Sequence, residues 1–261
     1  MQDRSIAAPI AVPEALRQFF RAHPRLALAF SGGTDSAYLL YAAAACGCDV
    51  RAFYAASAFQ PAFERADALR LGDELGAELR LIPLDVLSVD AVRMNPPDRC
   101  YHCKRSIFGA LAEAAQADGY DVFIDGTNAS DDAGDRPGMR ALSELGVLSP
   151  LRLCGISKAQ VREYSRRAGL FTWDKPAYAC LATRIPSGTP IDRETLERVE
   201  QAESRLFELG FTDIRCRVFH GAARLQFPSG QLERAVSLRR EIREALMPWF
   251  DIILIDTEDR G

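Results

Sequence analysis

Short apolar runs alternate with amphipathic stretches through the first half of the chain. Residues 26–30 (LALAF) are continuously apolar, a Ser-Gly-Gly turn follows, and residues 36–45 are rich in Ala, Leu and Tyr. This is a strand, a loop and a helix. A second strand is expected over 50–57, a helix over 61–75 opened by Pro61, and a third strand over 78–84, where polar and apolar positions alternate. Residues 104–117 place Ile107, Phe108, Leu111 and Ala115 on one helical face, and 121–124 (DVFI) reads as a fourth strand. The alternation predicts an α/β domain, a parallel twisted sheet of at least four strands flanked by helices on both faces. The polar stretch 126–138 (GTNASDDAGDRPG) then hangs off a strand's carboxyl end. Open α/β sheets bind ligands there. Ser157 suits the N-cap of a helix over 157–167. Residues 183–192 (TRIPSGTPID) read as a linker, which places a boundary between a domain over 1–186 and a smaller C-terminal α+β domain over 187–261. Its expected elements are a helix (193–209), strands (214–219 and 223–227), a helix (230–246) and a last strand (252–255).

Composition narrows the class. The 261 residues carry 32 basic and 36 acidic side chains, a formal charge of −4, and 48% are apolar, which excludes disorder, collagen-like repeats and coiled coil. The longest nearly continuous apolar run, 38–48, is too short for the roughly 20 residues that span a bilayer. The N-terminus has Asp3 and no apolar core of a secretory signal, so a cytoplasmic location is expected. Mild acidity gives no general attraction to nucleic acid. Seven unevenly spaced cysteines in a reducing compartment point to metal or catalytic chemistry before disulfides.

Ser31-Gly32-Gly33-Thr34-Asp35-Ser36 lies between an apolar strand and a helix N-terminus, where unpaired N–H groups and the helix dipole favour an anion. Its glycines let phosphate oxygens approach the backbone, and Ser31 and Ser36 add hydroxyl donors. The loop lacks the lysine of a GxxxxGK[ST] loop. A bare SGG is ordinary turn chemistry; the six-residue string in this context points to pyrophosphate. Gly126-Thr127-Asn128, with Asp131 and Asp132, would add a second wall to the same crevice.

Cys100-Tyr101-His102-Cys103 is a CxxC placed just before the expected helix over 104–117, and Cys180 lies in KPAYACLATR. A lone CxxC is a redox pair, half of a zinc site, or incidental. Cys46, Cys48, Cys154 and Cys216 read as small buried hydrophobes. Three thiolates can also hold a 4Fe-4S cluster by three irons and leave the fourth open. Arg215 and Arg217 are two apart on an expected strand and share a face, either solvated or anion-binding.

The string SGGTDS resembles the PP-loop of the N-type ATP pyrophosphatase superfamily, whose members cleave ATP between its α and β phosphates. That resemblance implies an adenine nucleotide alpha hydrolase-like fold and gives Asp35 a place beside magnesium. The strings NPPDRCYHCK, GTNASDD, RPGMRALSELGVLSPL, KPAYACLATRIPSGTPI and DIRCRVF together resemble the LarE family of ATP-dependent sulfur transferases, over about residues 26–227. The family resemblance implies conversion of carboxylates of pyridinium-3,5-biscarboxylic acid mononucleotide to thiocarboxylates, in nickel-pincer nucleotide cofactor biosynthesis. It implies ATP, magnesium and a 4Fe-4S cluster on Cys100, Cys103 and Cys180, since a three-cysteine branch uses cluster-bound sulfide. A single-cysteine branch instead sacrifices the sulfur of the cysteine matching Cys180. Arg184, Arg215 and Arg217 match positions that bind the substrate's phosphate, and Glu203 falls near a family acidic position. A homo-oligomer, a hexamer, is implied, while the sulfide donor is not. Ser187 departs from the family, which often has an aromatic residue in that segment. Two other readings follow from the same residues. A PP-loop tRNA thiolation enzyme should show a basic stripe, whereas acidic and basic residues here are interspersed. A nucleotide-binding protein with a structural zinc site would be separated by metal content.

Overall fold

The computed structural model describes residues 12–131 and 137–258. In chain order the elements are α1 (Glu14–Ala22), β1 (Arg25–Ala29), α2 (Thr34–Ala45), β2 (Asp49–Ala56), α3 (Ala62–Leu75), β3 (Leu79–Pro83), α4 (Asp90–Arg93), α5 (Arg99–Ala117), β4 (Phe123–Ile124), α6 (Pro137–Glu144), α7 (Pro150–Leu153) and α8 (Lys158–Arg167). They continue with α9 (Arg193–Glu208), β5 (Arg215–Phe219), β6 (Ala222–Gln226), α10 (Ser229–Ser237), α11 (Arg239–Leu246) and β7 (Ile253–Ile255). Two compact units result. The first takes the described residues within Met1–Ser57, Ala62–Leu84 and Cys100–Ala177, the second those within Ala58–Pro61, Asp85–Arg99 and Tyr178–Gly261.

The first unit is the expected parallel sheet, with strand order β3-β2-β1-β4. Side chains alternate across it. Leu26, Leu28 and Phe30, with Ala52 and Tyr54 of β2, pack with Leu39 and Leu40 of α2, Leu71 of α3 and Val161 of α8. Ala27, Ala29, Phe53 and Ala55 face the other way, onto Leu111 and Ala115 of α5 and Leu142 of α6. Because both faces are covered, the central strands read as apolar runs. The chain moves from β1 through β2 to β3 on one side, and β4 then pairs with the other edge of β1. The carboxyl ends of β1 and β4 therefore flank a topological switch point.

The second unit carries a three-stranded sheet of order β5-β6-β7, antiparallel between β5 and β6 and parallel between β6 and β7. Leu196, Val199, Ala202 and Leu206 of α9 are buried, as are Cys216, Ala223 and Leu225 on the strands. Two expectations need correction. The helix expected from 104 begins at Arg99, because Pro97 and Asp98 form a turn leading into it and the Arg99 N–H is accepted by the Pro96 carbonyl. The CxxC thus lies in the first turn of α5, not ahead of the helix. The single helix expected over 230–246 is divided at Leu238, just after the Ser237 hydroxyl donates back to the Glu233 carbonyl, a bond that competes with regular helix geometry.

All seven cysteines are thiols. Cys216 is buried, and Cys46, Cys48 and Cys154 pack against the core of the first unit. The Cys48 thiol lies against the carbonyls of Phe20 and His23, and burial pushes it from 9.0 up to about 11. A thiol whose folded value is raised contributes stability that is complete below about pH 9 and lost as pH rises through about 11. Cys48→Ala is therefore expected to make the alkaline decline of the urea midpoint shallower over that interval; an unchanged slope would contradict it. Among the described residues no helix is long and apolar enough to cross a membrane.

Candidate active site

The loop after β1 and the loop after β4 meet at the switch point of the first unit. Gly32 has a φ of +72°, and a Cβ there would lie 3.1 Å from Ala68 Cβ and 3.3 Å from the Glu64 carbonyl of α3. Glycine is thus required both by conformation and by packing. The serines close the loop on itself: the Ser31 and Ser36 hydroxyls lie 3.1 Å apart, the Ser31 N–H donates to Ser36 Oγ, the Gly33 N–H donates to Ser31 Oγ, and Ser36 Oγ donates to the Gly33 carbonyl. Gly126, just beyond β4, sits so close that a Cβ would lie 3.0 Å from the Ser36 backbone nitrogen. Thr34 is fastened from behind, its hydroxyl donating to the Thr172 carbonyl at 2.8 Å.

Asp35 is the focus of this crevice. Asn128 Nδ2 donates to one carboxylate oxygen at 3.4 Å, and Lys158 Nζ pairs with the other. Burial raises the carboxyl above its ordinary value, the Lys158 contact pulls it down, and Asp131 adds to the rise. Asp131 accepts from the Asn128 N–H at 3.0 Å, and Asn128 Oδ1 accepts from the Ser130 N–H at 2.8 Å, so the loop after β4 is tied locally. The Thr127 hydroxyl donates to Asp125, whose second oxygen accepts from Ser149 at 2.6 Å. Thr127 therefore braces the loop through its side chain. Asp132 lies outside the described residues. Sequence reasoning missed Lys158, although it begins the helix capped by Ser157; its partner is 123 positions away.

The second unit contains a buried ion pair. Arg184 and Glu203, for which the resemblance implies a place at the substrate's phosphate, hold each other: Nε donates to Oε1 at 2.8 Å and Nη2 to Oε2 at 3.0 Å, with the side chains 0% and 1% exposed. Arg184 Nη1 donates to the carbonyls of Ala179 and Cys180 and to Thr183 Oγ1. Glu203 also accepts from the Tyr178 hydroxyl and from the Cys216 N–H. The pair therefore ties the Cys180 segment to α9 and β5. Arg215 and Arg217 do share a face of β5, and Arg217 is paired directly with Arg224 of β6. Arg215 lies over the Tyr178 ring, while Arg217 donates to Gln226 Oε1 and the Thr183 carbonyl. Burial and the charge of Arg184 lower both guanidinium groups below the ordinary arginine value. Arg224, ion-paired with Asp256 at 3.4 Å, was not anticipated.

Cys100 and Cys103 are three apart at the start of α5, which puts them on one helical face. Cys180 immediately precedes a single 3₁₀ turn, Leu181–Arg184, in the second unit. Among the described residues no three His, Cys, Asp or Glu side chains are gathered as a metal site.

No family model matches the chain. Over 224 residues it is 38% identical to the uncharacterized protein slr1717 of Synechocystis, covering 85% of this chain and 84% of that one. Over 210 residues it is 34% identical to the pyridinium-3,5-bisthiocarboxylic acid mononucleotide synthase of Lactiplantibacillus plantarum, covering 80% and 76%. The chain belongs to the LarE family. Membership makes this LarE-family protein an ATP-dependent sulfurtransferase built on a PP-loop domain. A more distant likeness is to the tRNA-specific 2-thiouridylase MnmA of Thermotoga petrophila, 26% identical over 144 residues, 46% of this chain and 40% of that one.

Proposed function

We propose that this LarE-family chain adenylates a carboxylate of pyridinium-3,5-biscarboxylic acid mononucleotide and replaces one of its oxygens with sulfur, as a cytoplasmic step in nickel-pincer nucleotide assembly. The arginine face of the small sheet carries the substrate part of this reading. Like charges directly opposite on neighbouring strands are unfavourable, and Arg217 opposes Arg224 with Arg215 two residues away on the same face. A phosphate there relieves that repulsion with charge-assisted hydrogen bonds. A protein with a formal charge of −4 needs only such a local cluster to hold a small anion.

Backbone N–H groups at the start of α2, with Gly32, Gly33, Ser31 and Ser36, hold the β and γ phosphates, and Asp35 holds magnesium. Gly126, Thr127 and Asn128 form the second wall. A substrate carboxylate oxygen attacks the α-phosphorus, the bond to the bridging oxygen breaks, and pyrophosphate departs into the loop. A sulfur nucleophile then attacks the acyl carbon, and AMP leaves with the former carboxylate oxygen. Arg215 and Arg217 hold the mononucleotide phosphate, while Arg184 and Glu203 set the conformation of the Cys180 segment. The donor set is right in kind for iron, since Cys100, Cys103 and Cys180 are all thiols and two of them share a helical turn. Cys100, Cys103 and Cys180 would hold a 4Fe-4S cluster by three of its irons, and the open fourth iron would carry sulfide as the nucleophile. Residues 187–261 would also provide the contacts of a homo-hexamer.

Anaerobic iron and sulfide reconstitution, followed by assay with ATP, sulfide and the pyridinium mononucleotide, tests the reading. Expected are bound iron, AMP, pyrophosphate and repeated formation of thiocarboxylate, with both iron and turnover lost in Cys180→Ala. Stoichiometric zinc without iron would overturn the cluster. Loss of hydrogen sulfide from Cys180 during a single turnover would replace cluster-bound sulfide by a sacrificial cysteine, and a Cys180→Ala protein retaining iron and turnover would remove Cys180 from the site.

A further inference from the structure

We infer that Lys158 is an exchangeable counter-ion: it neutralises Asp35 in the nucleotide-free protein and transfers its ammonium to the nucleotide's phosphates when a divalent cation occupies Asp35. The inference rests on the reading of the crevice as an ATP site and adds a residue to it.

Both oxygens of the Asp35 carboxylate are engaged, one by Asn128 Nδ2 and the other by Lys158 Nζ. A divalent cation bound at that carboxylate would stand a few ångströms from the lysine charge, and two cations so close repel strongly in a partly buried setting. The ammonium must then leave the oxygen it occupies. Phosphate oxygens entering the same crevice offer it a new partner. The backbone of Lys158 stays in place during such an exchange, because its N–H donates to Ser130 Oγ at 3.0 Å and Ser157 caps α8 through a capping box with Gln160. The Ala129 N–H, donating to the Ile156 carbonyl at 2.8 Å, adds a further tie between the loop after β4 and the entry to α8. Only the flexible four-carbon stem has to swing, and the side chain, about one-third exposed, has room to do so.

The sequence supplies an independent reason. A phosphate loop of the GxxxxGK[ST] kind carries its own lysine, whereas Ser31-Gly32-Gly33-Thr34-Asp35-Ser36 has none. In the folded chain a lysine from α8, remote in sequence, reaches the same loop. It is a compact point charge suited to phosphate, delivered on the first residue of a helix whose own N-terminus also faces anions favourably.

Full-length wild type and Lys158→Gln are titrated with manganese alone, followed by electron paramagnetic resonance, and with ATP plus magnesium, followed by calorimetry. Lys158→Gln is expected to bind manganese alone severalfold more tightly, because nothing competes for Asp35. It is expected to bind the nucleotide roughly 10- to 100-fold more weakly, the loss of one charged hydrogen bond to phosphate. Lys158→Arg should recover most of the nucleotide affinity. A merely structural lysine would not move these two affinities in opposite directions. Manganese affinity unchanged or weaker in Lys158→Gln, or nucleotide affinity within twofold of wild type, overturns the inference while leaving the ATP site standing. A wild-type protein that binds neither ATP nor pyrophosphate overturns the ATP site itself.

Discussion

Glu203→Ala is expected to destabilise the second unit by roughly 3–5 kcal/mol, the cost of leaving a buried charge without its partner. The Arg184 and Glu203 side chains are 0% and 1% exposed, so solvent cannot replace the missing carboxylate. Removing it strands two guanidinium hydrogen bonds, the Tyr178 hydroxyl and the Cys216 N–H together. Of the two tryptophans, Trp249 belongs to the second unit and Trp173 to the first. Urea unfolding followed by Trp249 fluorescence in a Trp173→Phe background therefore reads the right unit. Glu208→Ala is the reference: it breaks an ion pair with Arg205 whose side chains are 49% and 61% exposed, and such pairs contribute about 1 kcal/mol or less. Equal midpoints for the two variants would refute the assignment. A paired Arg184→Met, Glu203→Leu replacement separates charge from anchoring. It should recover much of the stability, yet the carbonyls of Ala179 and Cys180 would still lack the guanidinium that holds them.

The pair also marks where sequence reading stops. The parallel sheet was legible because apolar runs, a glycine turn and amphipathic helices follow one another locally, and β1 to β4 appear close to the expected places. Locally, the string EQAESR around Glu203 has the polar composition of a solvated helix face. The signal against that was present: it lies four residues after Val199 and three before Leu206, both buried, so an acid sat on the apolar stripe of α9. What no local pattern carries is the partner. Arg184 is 19 positions away and Lys158 is 123 from Asp35. The same holds for residues 85–99, which join the second unit through Asn95. Its side chain donates to the carbonyls of Ile185 and Pro186, and its own carbonyl accepts from the Gly188 N–H. Arg99 adds a bond to the Ala182 carbonyl at 3.0 Å. A linear scan sees two prolines there, just ahead of the CxxC; the long-range bonds that decide its allegiance have no periodicity to reveal them.

Asp35→Asn is expected to lower substrate-dependent ATP–pyrophosphate exchange roughly 100- to 1,000-fold, since a metal clamp on transferring phosphates supplies several kcal/mol of charge stabilisation. Its thermal midpoint, by contrast, should stay the same or rise. Desolvation is the largest influence on this carboxyl and raises it despite the Lys158 contact, so the folded state tolerates the charge poorly. Asparagine keeps an oxygen for Lys158 and removes the charge. That pairing of outcomes would be the pattern of a functional site maintained against stability. The two measurements together are decisive. Exchange within tenfold of wild type would remove Asp35 from the metal role, and a fall in thermal midpoint as large as that of Glu203→Ala would make it a structural carboxylate like its counterpart in the second unit.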